Sequence, residues 1–245
     1  MQTKAIVVLA NSVKRSGRCL AGKAAARVGN GWKIGEWVRP VSTKDGGEIG
    51  VYQMRQALGH DPQLLEIVEI PFEGPVPLPD QPENWLIQTP LKAGSWKSLG
   101  NLTLRDMPAL LDKPAELWHD PKAVERRVRE GFPRRMAEPA SLYLIRPEKI
   151  ESIEVWAESN TYPGASSPVK RKRVLTIRYT GVRHECDIDD PLFAEKYFPR
   201  FPSVNDATLE ITLAKPNETF ICVSLTGSYY GHHYKIAAAF FEPVK

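Results

Sequence analysis

The sequence predicts a mainly β protein with short linking helices, and three observations carry that prediction. The C-terminal half holds seven short runs rich in Val, Ile, Thr and Tyr at close spacing, the rhythm of a small barrel or sandwich. Two of them, residues 175–179 and 209–213, alternate apolar with polar side chains, as a half-buried antiparallel strand requires. The N-terminal half adds three more strand-like runs.

In chain order, residues 5–10 (AIVVLA) read as a buried strand. Residues 31–34 read as a turn feeding a second strand over 37–41, which Pro40 should end or place at an edge because proline donates nothing to a ladder. Gly46 and Gly47 mark a loop, and residues 64–72 form a third strand with Glu66 and Glu69 breaking its apolar run. The proline-rich passage 71–82 excludes a regular element and suits a wrapping connector. Between residues 103 and 135, Asp106-Met107-Pro108 and Asp120-Pro121 set Asp beside Pro, a helix-start signal because a first-turn proline loses no hydrogen bond. Short helices are expected there.

The seven C-terminal strands are 141–146, 150–158, 173–179, 183–188, 208–213, 220–225 and 234–241, with Thr180-Gly181 suited to a tight hairpin turn. No repeat of about 20 to 50 residues is evident. The expected organisation is an N-terminal barrel over 1–100, a helical connector over 101–138 and a C-terminal barrel over 139–245.

With 245 residues, 42% of them hydrophobic and 25% charged, the chain has the composition of a globular protein with room for real cores. No apolar run approaches the roughly 18 residues of a membrane span, and the N-terminus lacks a signal-peptide pattern, so a cytoplasmic protein without a membrane partner is expected. Cys19, Cys186 and Cys222 form no C-x-x-C pair, which argues against a disulfide framework or a zinc knuckle. No metal site and no cofactor are expected. The net charge of +4 is unevenly placed: residues 1–50 carry nine Lys or Arg against three Asp or Glu, a positive field suited to phosphate.

Several stretches together resemble a known family. They are Asn11-Ser12 with Lys14, then Gly17-Arg18-Cys19 with Ala21-Gly22, then Trp37 with Arg39-Pro40 and Ser42. Gln81-Pro82-Glu83-Asn84, residues 223–226 and residues 234–238 fit as well. This pattern is similar to the bacterial dual OB-fold domain family, a resemblance that touches both ends of the chain. It implies two small OB-like β-barrels and a role with nucleic acid, and it implies fold more strongly than activity.

The candidate site begins in the loop expected after Ala10, where Lys14, Arg15, Arg18 and Lys23 surround Gly17 and Gly22. Glycines there would let backbone N–H groups converge on an anion, with Asn11 and Ser12 beside them and Arg18 clamping a phosphate. A phosphate-loop match fails because Ala24 stands where a hydroxyl residue is required. The bland alternative is a solvated basic turn. Cys19 among four cations could be an activated thiol, or a small side chain packed inward.

On a strand Trp37 and Arg39 share one face while Val38 takes the other, an arrangement that could stack a base and hold its phosphate. The alternative sets Trp37 in the core with Arg39 snorkelling to water. Tyr230, His232, His233 and Lys235 form a second cluster suited to a ligand rim, in which adjacent histidines face opposite ways and cannot share a metal. His184, Cys186 and Ile188 should share one face of a strand, with Glu185, Asp187 and Asp189 on its wet face. The basic run 170–173 after a turn-rich tip, and Arg126, Arg127, Arg129, Arg134 and Arg135, are further candidate contacts or solvated surface.

The reading favoured is a binding module for single-stranded nucleic acid or a nucleotide. The alternatives are an enzyme for phosphodiester or nucleotide chemistry at an inter-domain cleft, and a protein-interaction scaffold in a bacterial defence or DNA-processing system. Convergence of Lys14, Arg18 and His232 or His233 in one pocket would favour the enzyme, an open basic groove the binding module. No residue declares itself catalytic, and the sequence sets no oligomeric state.

Overall fold

Strand β1 (Gln2–Lys14) is covered on both faces, which is why residues 5–10 are apolar without alternation. Ile6 and Val8 enter one core, Val7 and Leu9 another. The computed structural model describes residues 2–14, 17–122, 126–133, 136, 139–161 and 167–243. From β1 the chain returns antiparallel as β2 (Gly17–Val28) and again as β3 (Gly31–Val41), one continuous strand rather than a turn and a strand. A short β4 (Ile49–Gly50) leads into helix α1 (Val51–Leu58), followed by β5 (Glu66–Pro75), β6 (Asn84–Ile87) and the exposed β7 (Lys97–Asn101).

Pairing runs β1-β2-β3-β6-β5 and closes from β5 back onto β1 through Gln2↔Phe72 to Val7↔Ile67. β3 and β6 are parallel, and α1 lies between the third and fourth barrel strands, so this is the five-stranded OB connectivity. α1 buries Met54 and Ala57 in the barrel core. Nothing in its eight residues, which carry no acidic first turn and no side-chain cap, announces it in the sequence. The proline-rich passage is less irregular than expected. β5 continues through Pro71 to Pro75, where its partner changes from β1 to β6 across a register shift between Phe72 and Gly74.

Past a capping box at Thr103 and Asp106, α2 (Met107–Leu110) forms as expected. Asp120-Pro121 starts no helix among the described residues. The Asp120 carboxylate instead accepts from the Lys122 amide and from Arg129 Nε and Nη2 at 2.8 and 2.9 Å, and β8 (Arg127–Arg129) is a strand.

The second sheet contains β9 (Leu142–Ile145), β10 (Lys149–Ser159), β11 (Val169–Tyr179), β12 (Val182–Ile188), β13 (Leu209–Glu210), β14 (Phe220–Leu225) and β15 (His232–Phe241). Helix α3 (Pro191–Tyr197), N-capped by Asp190, lies between β12 and β13. The order β10-β11-β12-β15-β14-β9, with β12 and β15 parallel, repeats the path of the first barrel. β9 pairs with β14 and β10 with β11, so two consecutive strands share the part that β1 plays alone. The molecule is thus mainly β and OB-like twice over, although its sequence shows no repeat. Thr180 and Gly181 take φ of 47° and 77°, the left-handed pair that a two-residue hairpin needs. The strand expected over 208–213 shrinks to β13.

Three apolar cores result. One fills the first barrel around Ile6, Met54 and Phe72, and another fills the second around Val155, Leu175 and Phe193. The third lies between the sheets, where Leu9 and Ala21 meet Leu142, Leu144, Cys222 and Phe241, with Met107 and Leu110 of α2 at its side.

Candidate ligand cleft between the barrels

The expected anion loop is a β-hairpin. Asn11 pairs with Leu20, Ser12 with Cys19, Val13 with Arg18 and Lys14 with Gly17, so the backbone N–H groups of this stretch serve strands rather than converging on a ligand. Arg15 lies outside the described residues. The glycines answer a packing need: a Cβ on Gly22 would stand 2.1 Å from the Val7 carbonyl oxygen, and one on Gly17 would stand 2.5 Å from that of Ile49. Val13 continues the hairpin onto the second barrel, donating its amide to the Asp189 carbonyl at 3.0 Å.

Beside this hairpin opens a cleft of about 800 Å³. Lys14 and Cys19 of the hairpin, Ser42, Lys44 and Gly46 after β3, and Leu78 and Gln81 between β5 and β6 form one wall. Thr226, Gly227, Ser228 and Tyr229 between β14 and β15, with Tyr234, form the other. OB folds hold ligands with the loops joining barrel strands one to two and four to five. The β5–β6 and β14–β15 connections are the four-to-five loops of their respective sheets, and both face this cleft. The second connection ends in Tyr229 and Tyr230, 58% and 83% exposed, with ring centroids 4.4 Å apart.

A recess of about 80 Å³ continues beneath the cleft between the sheets, sharing Lys14, Cys19, Arg39, Gln81 and Thr226 with it. Burial pushes the Cys19 thiol up, against the pull of Lys14 and Arg39. That is the wrong direction for a thiolate nucleophile, although Cys19 is half-buried and lines the cleft.

Several predicted contacts are spent on the interface. Trp37 and Arg39 do share a face, away from Val38 in the barrel core, but that face meets the second barrel. Trp37 Nε1 donates to Asp112 Oδ2 at 2.9 Å, and Lys23 Nζ donates to Asp112 Oδ1 at 2.6 Å and to the Leu110 carbonyl at 2.8 Å. Lys23 is therefore an interface residue, not an open phosphate contact. Arg39 Nη2 donates to Ser141 Oγ at 2.8 Å and Ser224 Oγ at 3.3 Å, while Glu83 accepts from the Ser141 amide and hydroxyl at 2.6 and 2.7 Å. Gln81 Nε2 reaches the Leu225 carbonyl at 3.2 Å.

Asn11 and Arg18 line a separate hollow with Asp61 and Glu195, Asn11 donating to the Pro62 carbonyl at 2.9 Å, and Ser12 is buried. Lys14 remains at the cleft, its ammonium on the Gly46 carbonyl. Of the second cluster, Tyr230 is open to solvent and His232 turns its Nδ1 to the Tyr230 carbonyl. His233 and Lys235 are corrections as rim residues, since both are buried. His233 Nδ1 lies 2.9 Å from the Thr226 carbonyl and its Nε2 lies 3.6 Å from Asp80 across the interface. Lys235 donates to His184 Nδ1 at 3.2 Å inside the second sheet. Burial, then Lys235 and His119, hold the His184 imidazole down to about 3, so it is neutral and accepts that bond.

His184, Cys186 and Ile188 face inward on β12, as the alternation predicts. Among the described residues no group of three metal-ligating side chains forms a site. The basic candidates are largely paired: Arg126 with Asp187, Arg129 with Asp120, Arg173 with Asp189 and Lys170 with Glu158. Arg134, Arg135 and residues 162–166 lie outside the described residues. The group that residue-by-residue reading missed is Asp112, which has no local motif. Glu83 and Ser224 sat within matched stretches whose purpose, joining the barrels, needs both halves in view.

Two OB-like sheets welded through an apolar interface, with a ligand-type loop from each on one cleft, define a paired OB-fold protein. The chain belongs to the family of the dual OB-containing domain, whose model matches residues 4–240. Comparison with curated proteins gives no match. Family and fold are consistent with binding of nucleic acid or nucleotides in general. Among the described residues no helix is long and apolar enough to cross a membrane.

Proposed function

We propose that the inter-barrel cleft binds single-stranded nucleic acid or a nucleotide. The observation that carries this reading is the convergence of both four-to-five loops on one cleft, with Lys14, Lys44 and Arg39 supplying positive charge, Tyr229 supplying a ring face and the exposed Tyr230 packed beside it. Lys14 and Arg18 occupy different hollows, and neither His232 nor His233 lines the cleft. That separation supports a binding module over an enzyme.

Three phosphate contacts on single-stranded nucleic acid imply about a 20-fold loss of affinity between roughly 50 and 200 mM salt. Fluorescence anisotropy with a short labelled oligonucleotide at the two salt concentrations tests the proposal. Absence of binding at the lower one refutes it.

A further inference from the structure

The interface holds a guanidinium that no carboxylate touches directly. Arg39 is 6% exposed, and among the described residues no carboxylate lies within ion-pair distance of it. Among the described residues only Nη2 of the side chain has hydrogen-bond partners, the oxygens of Ser141 and Ser224, while Nε is buried with none. The Glu83 carbonyl accepts from the Arg39 amide at 2.7 Å, but its carboxylate reaches the guanidinium only through Ser141, whose amide and hydroxyl occupy both of its oxygens. A buried guanidinium with an unused N–H is an incomplete arrangement, and its missing partner is an anion.

The place of that anion is set by the two cavities. Arg39 lines both the cleft and the recess under it. One water needs about 10–15 Å³ of such space, so a recess of about 80 Å³ accepts a phosphoryl group with its oxygens and excludes a nucleoside. The cleft above, about 800 Å³, has room for the nucleoside itself. A phosphodiester inside a strand carries a nucleoside on each side and cannot seat its phosphorus in such a recess. A terminal monoester can. Asp189, which also lines the recess, is ion-paired with Arg173 at 2.8 Å.

Resting on the nucleic-acid reading of the cleft, we infer that Arg39 anchors a terminal phosphate monoester in the recess, so that the cleft recognises a phosphorylated strand end or a free nucleotide rather than the interior of a polynucleotide. The guanidinium would offer Nη1, which has no partner among the described residues and is not sealed off as Nε is, to the phosphate while Nη2 stays on Ser141 and Ser224. Lys14, at the mouth of the recess, adds the second positive charge.

The test uses the wild-type chain and one short single-stranded sequence labelled internally, prepared with 5′-phosphate, with 3′-phosphate and with both ends hydroxyl. Anisotropy at low salt should show one phosphorylated form binding at least tenfold tighter than the hydroxyl form. Competition with a nucleoside monophosphate and with its nucleoside then separates the sources. A monophosphate competing as well as the phosphorylated oligonucleotide identifies a free nucleotide, and a much weaker one identifies a strand end. Either supports the inference.

Equal affinity for all three oligonucleotides overturns it while leaving the proposed function standing. No binding of any of them overturns both. Arg39→Lys, its fold checked by thermal melting, should reduce the preference for phosphate to less than threefold, and Lys14→Gln should weaken phosphorylated ligands more than hydroxyl ones.

Discussion

The Lys23–Asp112 pair offers the sharpest test of how the barrels are joined. The Asp112 carboxylate accepts from Lys23 at 2.6 Å, from Trp37 Nε1 at 2.9 Å and from the Leu144 amide at 2.8 Å. Replacing it by leucine leaves an ammonium with only the Leu110 carbonyl, and strands two further N–H donors inside the interface. Each hydrogen bond to a charged group is worth about 1.5–3 kcal/mol and the three are not additive, so Asp112→Leu should cost about 3–5 kcal/mol. Lys23→Met, which strands the carboxylate but leaves it Trp37 and Leu144, should cost about 2–4 kcal/mol.

In the double variant neither charge is left alone. Its cost should fall short of the sum by at least about 2 kcal/mol, a coupling readable from urea unfolding of the four proteins. An Asp112→Leu cost below about 1 kcal/mol, or simple additivity, would show that the pair is an incidental contact.

Gly22→Ala, whose Cβ would stand 2.1 Å from the Val7 oxygen, should cost about 3 kcal/mol or more in the same assay; wild-type stability would show that β1 and β2 can separate there. Tyr230→Ala, at an 83% exposed position, should leave stability within about 0.5 kcal/mol while weakening oligonucleotide binding by about tenfold in anisotropy. His184 has a folded-state pKa held down to about 3 by burial, against an ordinary 6.5. The unfolded chain therefore binds the extra proton first, and this residue's contribution is complete above about pH 6.5 and is lost as pH falls towards 3. His184→Gln should flatten that part of a stability–pH curve. Asp120, held down to about 2 by Arg129, adds a separate loss between about pH 4 and 2, which Asp120→Asn should remove.

Strands were legible where one or both faces are apolar. β14 has the expected bounds, and β12 and β15 differ from expectation only at their N-terminal ends. Residues 11–23 misled because polar side chains and glycines there look like a loop, whereas the ladder from Asn11↔Leu20 to Lys14↔Gly17 is sustained by barrel closure. Local composition carries no record of that long-range demand. The same limit applies to Lys23 and Lys235, since a lysine's sequence neighbours do not reveal that a second sheet covers it. The alternation of Trp37, Val38 and Arg39 was readable; which surface the outer pair meets was not. Asp120-Pro121 had a sound helix signal, but among the described residues no helix follows it and Asp120 is spent on a bidentate pair with Arg129.

The apolar seam between the sheets has a temporal side. β1 to β7 are complete at Asn101, but the surface that shields Leu9 and Ala21 includes β15, which ends at Phe241. At roughly 5–20 residues per second, a growing chain spends about 7 to 28 s with one finished barrel and a bare hydrophobic flank. During translation that flank is an adhesive surface awaiting its cover.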